Sequence, residues 1–499
     1  MTNWDLIIMM PILLFLCIGT LIYIIINEKI KSKKLIFLIN LTLFWVVVGY
    51  LSNKNFNLMP TNLNFDKSSY LIALILGTSF FSLFLKPLST FITGLIRNRF
   101  TWLKISYFFA FIITVTQFFI QENNIILFIF LSLFLAICIS SSSIFFLYYN
   151  EQFNYRIYVI SVTWIIFTFI TFGTILGNYI SEINHILLKE KYEITSLSIF
   201  VIILIYLFIY SFFCKETKNL AGVFDEYIIE NLPKKNNFNF FILYLLGFLI
   251  SLTSALNNSQ IVKLFIGLNL KDYGSSYETI ESFLRSFNYF YYVPSIIVSY
   301  FIYKFVLKYL GQKYLIITCL FLLFGVYTLL AFTTNPYIYM FSSILSGILC
   351  NQIIFTLFSL CIFWNYRAPK NPVTGFFGTS LFLAKFLVES IEKFISKSNY
   401  GVFKDINDLS DLSFYDVANS TSLKDFDIAT TLIMSFSCMV VLISVLIFYY
   451  KNNSLFADYL NYRNATRNIK NLLKKRMLDK VKTKIDVNKI NSNDINEYN

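Results

Sequence analysis

Three sets of residues in this chain have types and spacings that could do chemistry inside an apolar medium. Two are lysines within long runs almost free of charge, Lys86 in FFSLFLKPLSTF and Lys385 in GFFGTSLFLAKFLVESIEKF. A cation in such a run is costly unless an anion neutralises it, so each is a candidate for holding an anionic ligand. Lys86 also has a plainer use, reaching along its helix to a headgroup layer. Glu389 stands at i+4 from Lys385, on the same helical face, where it can neutralise the lysine or gate it. The third set is amides: Asn257, Asn258 and Gln260 in LTSALNNSQIVK, with Asn351 and Gln352 in GILCNQIIF. Amides so placed bind hydroxyls or carboxylates, cap a helix end, or hydrogen-bond to a neighbouring helix.

Other chemistries lack their residues. The seven cysteines are scattered and the sole histidine is His185, so neither a thiol pair nor a metal set has the required spacing. A phosphate-binding G-x-x-x-x-G-K loop does not occur. No cofactor or metal is expected. Glu281 and Arg285, also at i,i+4, read as an ion pair at a span's end. The run SSSS at 140–143 serves tight helix packing or a polar site equally well.

The elements that must carry these residues follow from composition. The chain is 57% hydrophobic and 14% charged, whereas soluble domains have roughly 45–50% apolar and about 25% charged residues. The apolar residues fall in continuous runs, each long enough to cross ~30 Å of hydrocarbon as a helix. Thirteen such spans are expected, from 5–27 to 429–450. Basic residues gather in alternate connections: Lys29, Lys31, Lys33 and Lys34, then Arg97 and Arg99, Arg156, the 214–237 loop, Lys304 with Lys308, and Arg367 with Lys370. By the positive-inside rule, the N-terminus lies outside and the C-terminus in the cytoplasm of a multi-pass plasma-membrane protein. The division expected is an extra N-terminal helix with its basic loop (1–34), six spans (35–213), a central cytoplasmic loop (214–237), six more spans (238–450) and a basic tail (451–499).

The connection GLIRNRFTWLK at 94–104 packs three positive charges between two apolar runs, and KFVLKYLGQKY at 304–314 is its counterpart in the second set. The first resembles the G-x-x-x-D-R-x-G-R-R motif of the major facilitator superfamily of secondary transporters. Gly94 stands at its first glycine, Arg99 at its arginine and Lys104 near its closing basic pair, while Asn98 replaces the aspartate and Thr101 the second glycine. In the second copy Lys308 takes the aspartate position and Gly311 the second glycine. GTILGN keeps Gly173 and Gly177 of that family's G-P-x-x-G-G, small residues that let helices approach closely.

This resemblance covers about residues 35–450. It implies an all-α integral membrane protein, a two-fold bundle of twelve helices (6+6) preceded here by one extra transmembrane helix. It further implies transport by alternating access, with the basic turn helping to latch one state; the missing aspartate leaves that contact open. It also sets the helices of Lys86 and Lys385 facing each other across a central cavity, which suits a small anionic substrate such as an organic acid or phosphorylated metabolite.

Two other readings stay open. A polytopic enzyme acting on lipid-linked substrates would need a cluster of His, Asp or Arg in one large loop. The 397–428 loop holds six aspartates but neither His nor Arg, and reads as a solvated loop. A non-transporting scaffold is the second alternative. The net charge of +13 lies in loops and tail, so the expected partners are the bilayer, anionic lipids at the tail, and a small-molecule substrate, not nucleic acid.

Overall fold

A computed structural model describes residues 3–57, 77–96, 98–119, 125–153, 159–188, 191–214, 237–367, 372–397, 401–407, 409–413 and 421–457. Among them there is no strand. Continuous apolar runs fold as helices because only a helix satisfies its own backbone polar groups in hydrocarbon. The helices are α1 (Asp5–Asn27), α2 (Ser32–Asn57), α3 (Thr78–Ile96), α4 (Phe100–Thr116), α5 (Ile125–Phe153), α6 (Val159–Glu182) and α7 (Glu193–Phe213). There follow α8 (Asn237–Asn257), α9 (Gln260–Asp272), α10 (Tyr277–Phe301), α11 (Leu307–Ala331), α12 (Pro336–Arg367), α13 (Val373–Lys397) and α14 (Ser422–Ala457).

Eleven helical segments among the described residues are long and apolar enough to cross a membrane, with α8 and α9 counted as one. Two of the thirteen expected spans fall short of that: α4 has 17 residues, and α10 carries Glu278, Glu281 and Arg285 near its start. The expected single span 238–262 is corrected to a broken one. The chain leaves α8 at Asn257, and Ser259, with extended backbone, accepts a hydrogen bond from the Val262 amide to start α9. Ser259 is an N-cap residue in the ordinary sense, supplying an acceptor to a first-turn donor that has no helical partner.

Helix pairing repeats along the chain. In the first set α2 packs on α6, α3 on α5 and α4 on α5; in the second, α8 packs on α13, α10 on α12 and α11 on α12. Matching the helices in order, α3 corresponds to α10 and α6 to α13. Two of the contacts between the sets, α3 with α13 and α6 with α10, are therefore each other's counterparts. α1 lies outside this pattern, against α10 and α6.

Small residues make the tightest pairings. A Cβ added to Gly173 would come within 2.7 Å of the Thr42 carbonyl oxygen, and one on Gly177 would collide with the backbone of Val46 and Tyr50. Across the sets, a Cβ on Gly375 of α13 would lie 2.5 Å from the Lys86 carbonyl oxygen. Near the joint of α5, α6 and α12 an aromatic cluster fills the interior, with Phe167 and Phe355 at 4.1 Å between centroids and Phe146 and Phe358 at 5.0 Å.

The described part of the 397–428 connection is not the solvated loop its aspartates suggested. Residues 401–407 and 409–413 fold back so that Phe403, Ile406 and Leu412 are buried. Leu412 fills the notch left by Gly267 on α9, and Lys271 donates to the Leu412 carbonyl. Two of the aspartates turn an oxygen to a local donor: Asp411 accepts from the Asn407 amide at 2.8 Å and Asp405 from Ser422 at 3.0 Å.

Candidate functional site

Lys86 sits midway along α3, immediately before Pro87. A proline inside a helix removes a backbone donor and frees the carbonyl four residues earlier. That carbonyl, of Leu83, accepts a 3.1 Å hydrogen bond from Thr379 Oγ1 of α13, so the proline stitches the two helices together at the level of the lysine. Gly378 leaves room for the lysine side chain, whose Cδ would be 2.8 Å from a Cβ placed there.

The side chain does not snorkel to a membrane face. It is buried, Nζ donates to Ser142 Oγ of α5 at 2.6 Å, and the Phe382 ring lies 5.0 Å away. No carboxylate among the described residues pairs with it. One turn back on the same face, Ser82 is a buried hydroxyl without a hydrogen-bond partner among the described residues. The serine run is thereby divided: Ser140 accepts from Trp102 Nε1 at 2.9 Å, and Ser142 holds the lysine.

Lys385 is placed differently. Its Nζ is 3.5 Å from Glu389, and its side chain is 57% exposed although it lies mid-helix. Glu389 also accepts from Ser79 Oγ of α3 at 3.2 Å. Lys263, at the start of α9, and Tyr292 of α10 lie within range of the charges on this pair. Polar groups of α3, α9 and α10 thus lie around the Lys385–Glu389 pair. The expectation that the two lysine-bearing helices face each other across a cavity is corrected: α3 and α13 pack directly, because Gly375 and Gly378 remove the side chains that would hold them apart.

The amides divide between structure and site. Asn351 donates to Ser295 Oγ at 2.8 Å and Gln352 to the Ser299 carbonyl at 3.1 Å, both tying α12 to α10. Gln352 Oε1 is nonetheless buried without a hydrogen-bond partner among the described residues. Asn258, in the turn just past α8, donates to the Ser254 carbonyl of that helix. Gln260 donates to the Asn407 carbonyl at 2.6 Å and so anchors the folded loop rather than lining a cavity. Asn257 is fully buried at the helix break; its amide reaches Ser346 at 3.5 Å and its oxygen has no partner among the described residues.

The motif residues build the turn between α3 and α4. Asn98 Oδ1 accepts from the Thr101 amide at 3.2 Å, capping α4. Arg99, nearly buried, donates to Thr93 Oγ1 at 3.1 Å and pairs with Glu151 of α5 at 3.3 Å. These partners lie on α3 and α5, so the arginine braces three consecutive helices. Gly94 ends α3 half-buried, and Lys104 lies 4.8 Å from the Phe212 ring. Gly311 adopts φ +73°, a conformation that L side chains rarely take, and bends the chain as α11 begins. Arg97, the Lys308 side chain, most of the 214–237 loop and the tail beyond Ala457 lie outside the described residues.

Sequence reasoning missed three participants. Ser142 was hidden among four equivalent serines. Glu392 accepts from the Gln260 and Ile261 amides at 3.1 and 3.4 Å, serving as the acidic cap of α9. Asp5, fully buried on α1, pairs with Arg285 at 2.9 Å; this adds to the expected Glu281–Arg285 pair, present at 3.0 Å. Only the last two had a signal, a carboxylate at an apolar end.

Fold and contacts together define an all-α polytopic bundle with two-fold repeated pairing. Solved structures with that arrangement include FucP, a major facilitator superfamily transporter in the outward conformation, 11% identical, with 82% of this chain and 97% of FucP covered at a TM-score of 0.52. A bacterial homologue of the iron transporter ferroportin, outward-facing, is 12% identical over 84% of this chain and 99% of its own, at 0.53. The human organic anion transporter TETRAN is 12% identical over 81% and 97%, at 0.51. No family model and no curated protein matches the sequence. The chain has the major facilitator superfamily fold.

Proposed function

We propose that this protein is a secondary transporter that carries a small anionic metabolite across the plasma membrane by alternating access. The observation that supports this best is Lys86, a buried cation whose partners are a hydroxyl and an aromatic ring, at the joint of α3, α5 and α13. A buried cation without a carboxylate is costly, and an anionic ligand removes that cost. In this reading Ser82 and Ser142 supply hydroxyl contacts, and Lys385, held by Glu389, is the second cation that an incoming anion meets. The two six-helix sets, 35–213 and 238–450, rock against each other along the α3–α13 and α6–α10 contacts. The basic connections set the N-terminus outside and the C-terminus in the cytoplasm, with the tail drawn to anionic lipids.

A thermal-stability screen on the detergent-purified protein tests this, using sugar phosphates, carboxylates, amino acids, nucleosides and neutral sugars. A ligand at a hundred times its dissociation constant stabilises by about 2.7 kcal/mol. An anion that stabilises wild type but neither Lys86→Gln nor Lys385→Gln supports the assignment. Stabilisation by neutral sugars alone, or an anion response in both variants equal to that of wild type, rejects it.

A further inference from the structure

Where α6 meets α10, at the membrane face where α1 begins, two carboxylates share one guanidinium and a third lies close by among the described residues. Asp5 takes Arg285 Nε at 2.9 Å and Nη2 at 3.3 Å, a two-pronged grip on a fully buried carboxylate. Nη2 also donates to Asn3 Oδ1 at 2.8 Å and Ser282 Oγ at 3.2 Å, and Nη1 faces Glu281 at 3.0 Å. Nε and Nη2 thus hydrogen-bond to Asp5, Asn3 and Ser282 and Nη1 faces Glu281 without a hydrogen bond, while Glu182 of α6 lies within range of the guanidinium's charge but receives no hydrogen bond from it. Its partner across the contact is the Tyr289 hydroxyl of α10, with the Asn53 amide of α2 beside it.

We propose that Glu182 carries a proton at the α6–α10 contact, and that this proton holds the contact closed at the face where α1 begins. Two facing carboxylates with one cation between them cannot both stay ionised away from water without repelling. Asp5 is the better-served of the two, so the proton falls to Glu182, where the neutral acid and the Tyr289 phenol share a hydrogen bond. Loss of the proton leaves an anion beside Asp5 and favours separation of the helices and entry of water. α1 thereby acquires a role: by occupying Arg285, Asp5 denies Glu182 its counter-ion.

The other charged and titratable groups nearby do not replace the missing cation. Lys54 of α2 is paired with Glu193 of α7. Tyr179 donates to the Leu6 carbonyl of α1 at 2.9 Å. Tyr277 of α10 lies near Glu281 and Arg285, and His185 is exposed about one turn beyond Glu182. The inference concerns a site away from Lys86 and does not depend on what is carried.

Infrared difference spectra of the full-length protein in nanodiscs, titrated from acid to alkaline pH, read the proton directly. Wild type should show the carbonyl band of a neutral carboxylic acid that disappears on alkalinisation, and Glu182→Gln should lack it. Asp5→Asn frees Arg285 to pair with Glu182 and should abolish or strongly diminish the band. Since glutamine mimics the protonated acid, Glu182→Gln should keep its acid-pH melting temperature on alkalinisation while wild type loses stability. A proton held only by the closed form stabilises it at low pH and ceases to as pH rises, which fixes the direction of that difference. A band unchanged in Glu182→Gln, or identical alkaline destabilisation in both proteins, overturns the proposal.

Discussion

Lys86 separates binding from stability at a single side chain. Replacing a buried ion by a well-packed apolar residue is often neutral or stabilising, whereas removing its partner is not. Lys86→Met should therefore leave the melting temperature unchanged or raise it, while abolishing the response to the anion that stabilises wild type. A large loss of stability in that variant would mark the lysine as a structural post. Arg99 should behave in the opposite way. Its guanidinium braces α3 and α5 through Thr93 and Glu151, so Arg99→Met strands a carboxylate that is 17% exposed. The partner's partial exposure keeps the expected cost to about 1–2 kcal/mol in chemical denaturation.

Two helix-scale features make predictions independent of the substrate. The α2–α6 contact rests on Gly173 and Gly177, where any side chain meets backbone rather than a movable side chain. Gly177→Leu should cost at least the ~1–3 kcal/mol typical of overpacking, measured as a fall in melting temperature, with Gly177→Ala intermediate. The break between α8 and α9 depends on Ser259 and Glu392 as acceptors for first-turn amides. Ser259→Ala should cost ~1 kcal/mol and raise hydrogen exchange at Val262 and Lys263 without altering α8. The apolar runs and glycine pair made most helices legible in the sequence, because a continuous run has one solution in lipid. The break was less so: NNSQ carries a capping serine, but the apolar residues on either side read as one span. The folded loop at 401–413 escaped because six aspartates outweighed Phe403, Ile406 and Leu412, whose burial depends on a notch at Gly267 far away in sequence.

At the scale of the molecule, the repeated pairing of helices was foreseeable only as a count of six and six; which helices touch across the sets depends on shapes a sequence does not display. Nor did the sequence indicate where α1 docks. It meets α10 near both of its ends, through Asp5 with Arg285 and through Asn27 and Glu28 with the Tyr300 hydroxyl. Deleting residues 1–31 should leave the remaining bundle folded but lower its melting temperature, since Arg285 loses Asp5 and must turn to Glu281 and Glu182 while α10 and α6 lose the cover of α1. Restoring part of that loss with Arg285→Met would identify the charge, not lost packing area, as the main cause. No recovery would assign the loss to the apolar face of α1.

The pairing of Asp5 with Arg285 also sets a timetable. The two residues are separated by 280 positions, so the carboxylate leaves the ribosome long before its guanidinium exists. At translation rates of about 5–20 residues per second, α1 waits on the order of tens of seconds. During that interval Asp5 must stay at the bilayer surface, hydrated or neutralised by a proton, and its helix cannot settle at final depth. α1 thus cannot complete its docking until α10 has been made, and a chain stalled before α10 would display an unseated α1 by which an unfinished molecule could be told from a finished one.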